Sequence, residues 1–405
     1  MQTDPDPKAG KACQASAIFV GAPVSGELRF AAAPHSNTSS FFHFLPVTSF
    51  NMSSDLPYIV AFSHMSGIGM QTVSKLLRHY PSVKEIYNAP EKKLAAIIGP
   101  NKSHIISHFR SQNSSHSILE SLLKKDIHII DFTFLQKSSH FCAISPLPLC
   151  VYSKGDISLL KEPLRTLAIV GTRKPTLYGR RNASYFSAEL SRAGFAIVSG
   201  LAYGIDSEAH LACLAENSQT IAVLGCGIEA SLSTTQATLS QRILKKNGLI
   251  LSEFPPTMQA QPQNFPIRNR LISGFSLATV VVEGEVTSGA CITARYAASQ
   301  GRDVFCIPGP IDSPNSAGPH ELIKNGAYLA TSPRDIIDMY AHLLPSKKVN
   351  HLEEAILKLL NLNPLNAPAL ANVLQASIQE LLSRLLSLEL AGRIRRQPDG
   401  TYMVQ

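Results

Sequence analysis

The sequence predicts an α/β fold built on a parallel sheet with helices on both faces. A small helical domain precedes the sheet and a winged-helix-like domain follows it. Three observations predict this. Residues 167–202 read as strand, helix, strand: Leu167 to Val170 ends at Gly171, Tyr178 to Ala193 has helical spacing and stops at Gly194, and Phe195 to Val198 ends at Ser199-Gly200. Strand and helix then alternate as far as Pro308-Gly309. Past Pro345-Ser-Lys-Lys the pattern changes to helices and a basic hairpin. Parallel strands read as unbroken apolar runs because helices cover both faces, and strict alternation with helices marks such a sheet.

Taken in order, residues 1–51 mix glycine, alanine, proline and serine without a sustained period. They lack the charged start, apolar centre and cleavage site of a secretory signal. They are expected to form a disordered extension, with Met52 as a natural start. Residues 52–140 are expected to form the helical domain. Asp55 to Tyr80 reads helix, Gly67-Ile68-Gly69, helix. That is either a helix-hairpin-helix offering amides to a DNA phosphate or a plain helical corner. Residues 81–125 continue helical with breaks at Pro90 and Gly99-Pro100, and Ile127 to Phe132 reads as a short strand. Cys142 to Pro163, with Pro146 and Pro148, reads as a connector.

The α/β domain is expected over residues 141–341. Helices at Ile205 to Ala215, Leu239 to Asn247 and Ala290 to Ser299 alternate with strands. Those strands fall at Thr220 to Leu224, Leu249 to Ser252, Leu277 to Val282 and Asp303 to Ile307. A linker over 342–351 leads to residues 352–405. These read as helix, a short segment after Pro364, and a helix from Ser377 to Leu390. A hairpin follows, with Arg393, Arg395 and Arg396 before the turn Pro398-Asp399-Gly400 and Tyr402 after it. A winged helix of this kind holds either duplex DNA or a protein.

Lys and Arg number 37 against 29 Asp and Glu, a formal charge of +8 over 405 residues. The excess is spread along the chain, so it suits a polyanion without identifying one. The cysteines, at 13, 142, 150, 213, 226, 291 and 306, form no Cys-x-x-Cys pair and no zinc spacing. No metal site is expected, and a reducing, cytoplasmic setting is. No apolar run has the length of a membrane span. The chain has no Gly-x-x-x-x-Gly-Lys-Ser/Thr loop and no Gly-x-Gly-x-x-Gly, which argues against a standard ATPase and a nicotinamide dehydrogenase. No nucleophile–base pair stands out, and no cofactor is expected.

Loops that follow parallel strands share one edge of the sheet with helix N-termini, where free amides and the helix dipole attract anions. Gly171, Ser199 and Gly200 fall there, and Arg173 and Lys174 add positive charge. This is the expected phosphate-binding edge. Phe265-Pro266-Ile267-Arg268-Asn269-Arg270 is the sharpest cluster. Arginine forks match phosphates, and Phe265 would stack on a base. The competing reading is a core phenylalanine beside structural arginines. Ser288 is expected as an N-cap, a phosphate contact, or both. Glu253 and Glu283 follow strands and either serve a hydrolase or pair with Arg268 or Arg270; the pairing is the expectation. Asp206 and His210 stand one turn apart and are expected as a hydrogen-bonded pair rather than an acid–base or metal couple.

Over Ile169 to Leu329 the motifs resemble those of the DNA-processing protein A (DprA/Smf) family. They are Val170-Gly-Thr-Arg, Ser199-Gly-Leu-Ala-Tyr-Gly-Ile-Asp, Ala222-Val-Leu-Gly-Cys-Gly and Ser252-Glu-Phe-Pro. Phe265-Pro-Ile-Arg-Asn-Arg-Leu-Ile-Ser-Gly, Val281-Val-Glu, Ser288-Gly-Ala-Cys-Ile-Thr-Ala and Gly318-Pro-His-Glu-Leu-Ile-Lys-Asn-Gly-Ala complete the set. The helical front (SAM/helix-hairpin-helix-like) and the winged-helix-like tail fit that family's layout, and residues 1–51 match nothing in it. The resemblance implies an extended Rossmann-like fold that binds single-stranded DNA without sequence preference. It implies a homodimer and not an enzyme. It also implies a role in natural transformation and recombination, protecting incoming DNA and helping to load the RecA recombinase. It assigns Arg173 to a phosphate, and Gly171, Ser199, Gly200, Phe265, Arg268 and Asn269 to the same pocket. The alternative is a nucleotide-binding or nucleotide-hydrolysing Rossmann-like enzyme. Against it, Pro308-Gly309-Pro310-Ile311-Asp312 lacks the Pro-Gly-Gly-x-Gly-Thr-x-x-Glu pattern of nucleotide-cleaving relatives. The chain departs from the family after Gly227, where a Tyr-Pro or His-Pro pair is common and Ile228-Glu-Ala-Ser stands here.

Overall fold

The computed structural model describes residues 54–138, 140–160, 165–344, 351–390 and 392–404. The expectations for residues 1–51 and for most of the linker lie outside the described residues. The front of the chain is helical: α1 (Leu56–Ser63), α2 (Met70–Leu77), α3 (Val83–Asn88), α4 (Glu91–Ile98), α5 (Pro100–Gln112) and α6 (Ser115–Lys124). The breaks have local causes. Ser82 and Ser114 accept bonds from the amides of Glu85 and Ser117 and so start α3 and α6. Pro100 stands in the first turn of α5, where its missing N–H costs nothing.

A nine-stranded sheet follows. Its strands are β1 (His128–Asp131), β2 (Cys150–Gly155), β3 (Thr166–Val170), β4 (Ala196–Ser199), β5 (Thr220–Val223), β6 (Leu249–Ser252), β7 (Ala278–Val281), β8 (Asp303–Cys306) and β9 (Tyr328–Leu329). The helices between them are α7 (Phe132–Lys137), α8 (Leu177–Arg192), α9 (Ile205–Ala215), α10 (Thr234–Lys245), α11 (Asn264–Gly274), α12 (Gly289–Ser299) and α13 (Pro314–Lys324), with α14 (Pro333–Met339) after β9. The spatial order is β1-β2-β6-β5-β4-β3-β7-β8-β9. From β6 to β9 every pairing is parallel, while β1 and β2 add an antiparallel flank. The chain steps outward from β3 to β6, then returns to the other side of β3 as β7. That reversal opens a crevice beyond the strand ends.

Alternation along β3 shows why its run is wholly apolar. Leu167 and Ile169 pack with Ala183, Phe186 and Leu190 of α8. Ala168 and Val170 pack with Leu271 of α11, Ala290 and Ala294 of α12, and Phe275. Both faces are covered, so Leu167 to Val170 are all apolar, and Thr166 at the start of the strand is buried with its hydroxyl donated to the Phe275 carbonyl at 2.7 Å.

Four expectations need correction. Cys142 to Pro163 is not a plain connector: it contains β2, which pairs with both β1 and β6. Ile144, Val151 and Leu160 belong to the buried core, so the stretch is part of it. The strand expected at Ile127 to Phe132 exists, but it forms the outer edge of this sheet rather than part of a separate helical unit. The helix expected from Leu239 begins at Thr234, where Ser233 accepts the Gln236 amide. Helices α11 and α13 were not expected at all. Pro266 in the first turn of α11, and Pro314 and Pro319 in α13, disguise them. The helical front is seated on β2. Leu149, Cys150 and Tyr152 share its core, and the buried Tyr152 hydroxyl lies 2.5 Å from Ser63 Oγ.

The tail comprises α15 (His351–Leu362), β10 (Leu365–Asn366), α16 (Ala367–Leu374), α17 (Ile378–Leu390), β11 (Ile394–Arg396) and β12 (Thr401–Val404). Its sheet runs β10-β12-β11. This is the winged-helix arrangement, closed over Ile356, Leu370, Leu381, Leu385 and Tyr402. Asp399 Oδ1 accepts from the Thr401 amide and hydroxyl at 3.0 and 2.7 Å and fixes the hairpin turn.

Candidate nucleic-acid interface

The crevice beyond β3, β4 and β7 holds a pocket of about 430 Å³. Gly171, Arg173, Phe265, Arg268, Asn269 and Ser288 all line it, although they come from three segments far apart in sequence: the loop after β3, the first turns of α11 and the N-cap of α12. Arg173 is exposed and Phe265 half-buried. The Arg173 guanidinium carbon lies 5.0 Å from the centre of the Phe265 ring, within cation–π range. Among the described residues no carboxylate is within ion-pair distance of Arg173. The ring sits where it does because residue 225 is glycine: a Cβ there would come within 2.7 Å of Phe265 Cδ1.

Arg268 occupies a different environment. It is 3 % exposed. Its Nη1 donates to the Gly200 carbonyl at 2.9 Å and to the Val223 carbonyl, and its Nε donates to Asn269 Oδ1 at 3.2 Å. Burial lowers its pKa to about 10, while nearby Asp206 acts in the opposite direction; it stays charged at neutral pH. Asp206 accepts from the amides of Gly200 and Ala202 at 3.1 and 3.4 Å. Burial raises its pKa, opposed by Arg268. Gly200 allows the two side chains to approach, since a Cβ there would meet both at 2.7 Å. Asn269 donates from Nδ2 to the Gly289 carbonyl at 3.1 Å, which ties α11 to the start of α12.

Three other expected residues do not line the pocket. Ser199 is buried, with its hydroxyl donated to the Ile169 carbonyl at 2.7 Å. Gly200 lies beneath Arg268. Arg270 points away: its Nη1 and Nη2 donate to the two oxygens of Glu253, each at 2.6 Å, and its Nε donates to the Pro146 carbonyl at 2.8 Å. Arg270 therefore follows the structural reading, as does the expected pairing with Glu253. Ser288 caps α12, accepting from the Cys291 amide at 3.4 Å, with its side chain at the pocket wall.

Two pairings differ from expectation. Glu283 meets neither Arg268 nor Arg270. It accepts from the Thr176 amide at 3.0 Å and the Thr176 hydroxyl at 2.5 Å, just before α8. It thereby pins the loop that carries Arg173, a role that no sequence pattern announced. Asp206 and His210 do not bond to each other. Asp206 faces the Gly200 loop, and His210 Nδ1 is 2.8 Å from Thr220 Oγ1. Because that hydroxyl donates to the Ile197 carbonyl, the proton lies on His210 Nδ1. The departure after Gly227 also has a place. Glu229 accepts from Lys125 Nζ at 2.9 Å and Ile228 packs against the helical front, so this loop joins the two domains.

Among the described residues there is no group of metal-ligating side chains, and no helix is long and apolar enough to cross a membrane.

The chain is similar to known proteins. The family model for DNA recombination-mediator protein A matches residues 136–341, and that for the DprA winged helix domain matches residues 344–400. The chain is 38 % identical over 272 residues to Protein Smf of Escherichia coli K12, covering 64 % of this chain and 72 % of that one. It is 36 % identical over 236 residues to DNA processing protein DprA of Bacillus subtilis 168, covering 58 % and 77 %. The X-ray structure of DprA from Streptococcus pneumoniae superposes with a TM-score of 0.57 at 30 % identity, covering 69 % of this chain and 95 % of that one.

Proposed function

This chain belongs to the DNA recombination-mediator protein A family, and from that premise we propose that it binds single-stranded DNA without sequence preference at the strand-end pocket. The observation that carries the proposal is the unpaired Arg173 guanidinium over the face of Phe265. A single strand needs a cation for its phosphate and a flat apolar face for an unstacked base, and the pocket mouth offers both side by side. Gly171 and Ser288 admit the backbone at the pocket wall. Arg268, Asn269, Arg270, Ser199 and Gly200 act beneath the surface, holding the loops in register. Protection of the strand, its transfer to the RecA recombinase during DNA uptake and recombination, a cytoplasmic setting and a homodimer rest on the family resemblance.

The rival reading, a nucleotide-hydrolysing enzyme, needs a free carboxylate. Glu253 is held by Arg270 and Glu283 by Thr176, which favours the binding function.

The test is fluorescence anisotropy of a labelled single-stranded oligonucleotide, with unlabelled duplex as competitor. Arg173→Ala is expected to weaken binding at least tenfold. It should also lower the slope of log affinity against log salt by roughly 0.7, one phosphate's worth on a single strand. Binding indifferent to Arg173 would move the site elsewhere, and release of free base from a nucleotide would restore the enzyme.

A further inference from the structure

Phe265 is the one aromatic residue that lines the strand-end pocket. A second aromatic stands just outside it. Ala202 lines the pocket, and its neighbour Tyr203 does not, although it is 48 % exposed. The loop that carries Tyr203 is fixed residue by residue. Gly200 donates its amide to Asp206 and accepts from Arg268 at its carbonyl. Leu201 is buried, and its carbonyl accepts from Gln236 Nε2 at 2.8 Å. Ala202 donates its amide to Asp206, and its carbonyl accepts from Ser207 Oγ at 2.6 Å. Gly204 has φ +84°, and a Cβ there would come within 2.4 Å of the Thr172 carbonyl oxygen and 2.9 Å of Arg173 Cα. Only glycine fits so tight a position. It clamps the backbone beside Tyr203 against that of Arg173. Among the described residues no hydrogen bond or ring contact holds the Tyr203 side chain itself. A rigid loop thus presents a free aromatic ring, which costs little further ordering when a ligand lies on it.

We propose, on the reading that the pocket holds single-stranded DNA, that Tyr203 is a second stacking platform for the same strand. One base lies on Phe265 inside the pocket. The backbone crosses the edge at Arg173 and the small Ala202, and a neighbouring base lies on Tyr203 outside. Two observations favour this course. The loop after β4 lies between those after β3 and β5, away from β7, whose end carries Glu283. A polyanion leaving Arg173 is drawn to the side that lacks that carboxylate. Lys174, exposed next to Arg173 and without a carboxylate partner among the described residues, adds a second cation for the linking phosphate. The exposed Tyr178 has the opposite setting. It lies on the Glu283 flank, and its hydroxyl is committed to the Pro308 carbonyl at 2.5 Å. Every base has a π face, so a second platform lengthens the bound segment without adding sequence preference.

The chain contains no tryptophan, so Tyr203→Trp places the sole indole of the full chain at the platform. The probe is oligo-deoxythymidine. A stacked base is expected to quench that indole along the same titration curve that anisotropy reports, while the indole of Tyr178→Trp changes little. In anisotropy, Tyr203→Ala and Tyr203→Leu are expected to weaken binding roughly five- to hundredfold with the salt slope unchanged and circular dichroism unaltered. Tyr203→Phe is expected to bind as the parent chain does, because the ring and not the hydroxyl is used. An unquenched Tyr203→Trp indole, in binding that still depends on Arg173, overturns the platform and leaves the pocket reading intact. So does full affinity in Tyr203→Leu, which would make apolar bulk sufficient, or quenching in Tyr178→Trp alone, which would send the strand along the other flank. Binding indifferent to Arg173 removes the pocket reading and the platform with it.

Discussion

The parallel sheet has a hollow at each of its two edges, and the two differ in kind. Where the strands finish, about 430 Å³ is bordered by Arg173, Phe265 and helix beginnings. Where they start, about 630 Å³ lies among Ser158, Ser191, Asn217, Gln219, Lys246 and Asn247. The second hollow is the larger. It sits at the ends of α8, α9 and α10, whose last carbonyls carry the negative end of each dipole. Its lysine is engaged, with Lys246 Nζ donating to Asn217 Oδ1 at 2.7 Å. Its aromatic residue, Phe195, is 2 % exposed and offers no stacking face. Volume does not locate an anion site in such a fold; the direction of the backbone does.

The contrast breaks most completely if the support under the strand-end pocket is removed. Arg270→Ala leaves Glu253 buried without its cation, and stability is expected to fall by about 3–5 kcal/mol in urea unfolding. A loss near zero would return Arg270 to the DNA-facing reading. Acid tests the scaffold that both hollows share. Burial pushes the pKa of His210 and of His140 down to about 3. The unfolded chain takes up these protons near pH 6.5, and the folded chain does not until about 3. Their contribution is therefore full above 6.5 and declines as pH drops through that window, by at most about 1.4 kcal/mol per unit for each histidine. Urea midpoints at pH 7 and pH 5 should differ accordingly, and equal midpoints would mean that both rings reach water. Phe265→Ala sharpens the contrast at the pocket itself. It is expected to weaken single-strand binding by about 1–3 kcal/mol while leaving the salt slope unchanged, because stacking releases no counterions. The smallest effect belongs to the other edge. Lys246→Ala should change affinity less than about twofold at fixed salt, since no phosphate contact is lost there; a tenfold loss would put DNA in the larger hollow.

The sheet was legible wherever helices cover both faces of a strand, as for β3 and β7, because burial on two sides leaves an apolar run. It was illegible at β2. Cys150-Val-Tyr-Ser follows two prolines, and its partner β6 is distant in sequence, so local signals spoke only for a loop. Prolines hid α11 and α13 in the same way, being tolerated in first turns and, at Pro319, within the helix. At the site, the edge and its candidate residues were legible because glycines and cations follow strands. Their division into surface and support was not. Arg173, Arg268 and Arg270 are alike in sequence, and only burial separates the exposed one from the two bonded to carbonyls and a carboxylate. Asp206 and His210 show the limit of helical spacing. One turn apart they share a face, yet the Gly200 amide and Thr220 hydroxyl are better placed partners.

Glu283 carries a consequence for the direction of a bound strand. By bonding at Thr176 it fills the start of α8 with an anion of the protein's own, and the beginning of that helix no longer invites a phosphate. Under the proposed reading, a strand reaching Arg173 would meet attraction on one flank and the Glu283 carboxylate on the other. The groove is electrically lopsided. Nucleic acid has a chemical polarity, and under that reading its two directions would be inequivalent in the groove even where every base is ignored.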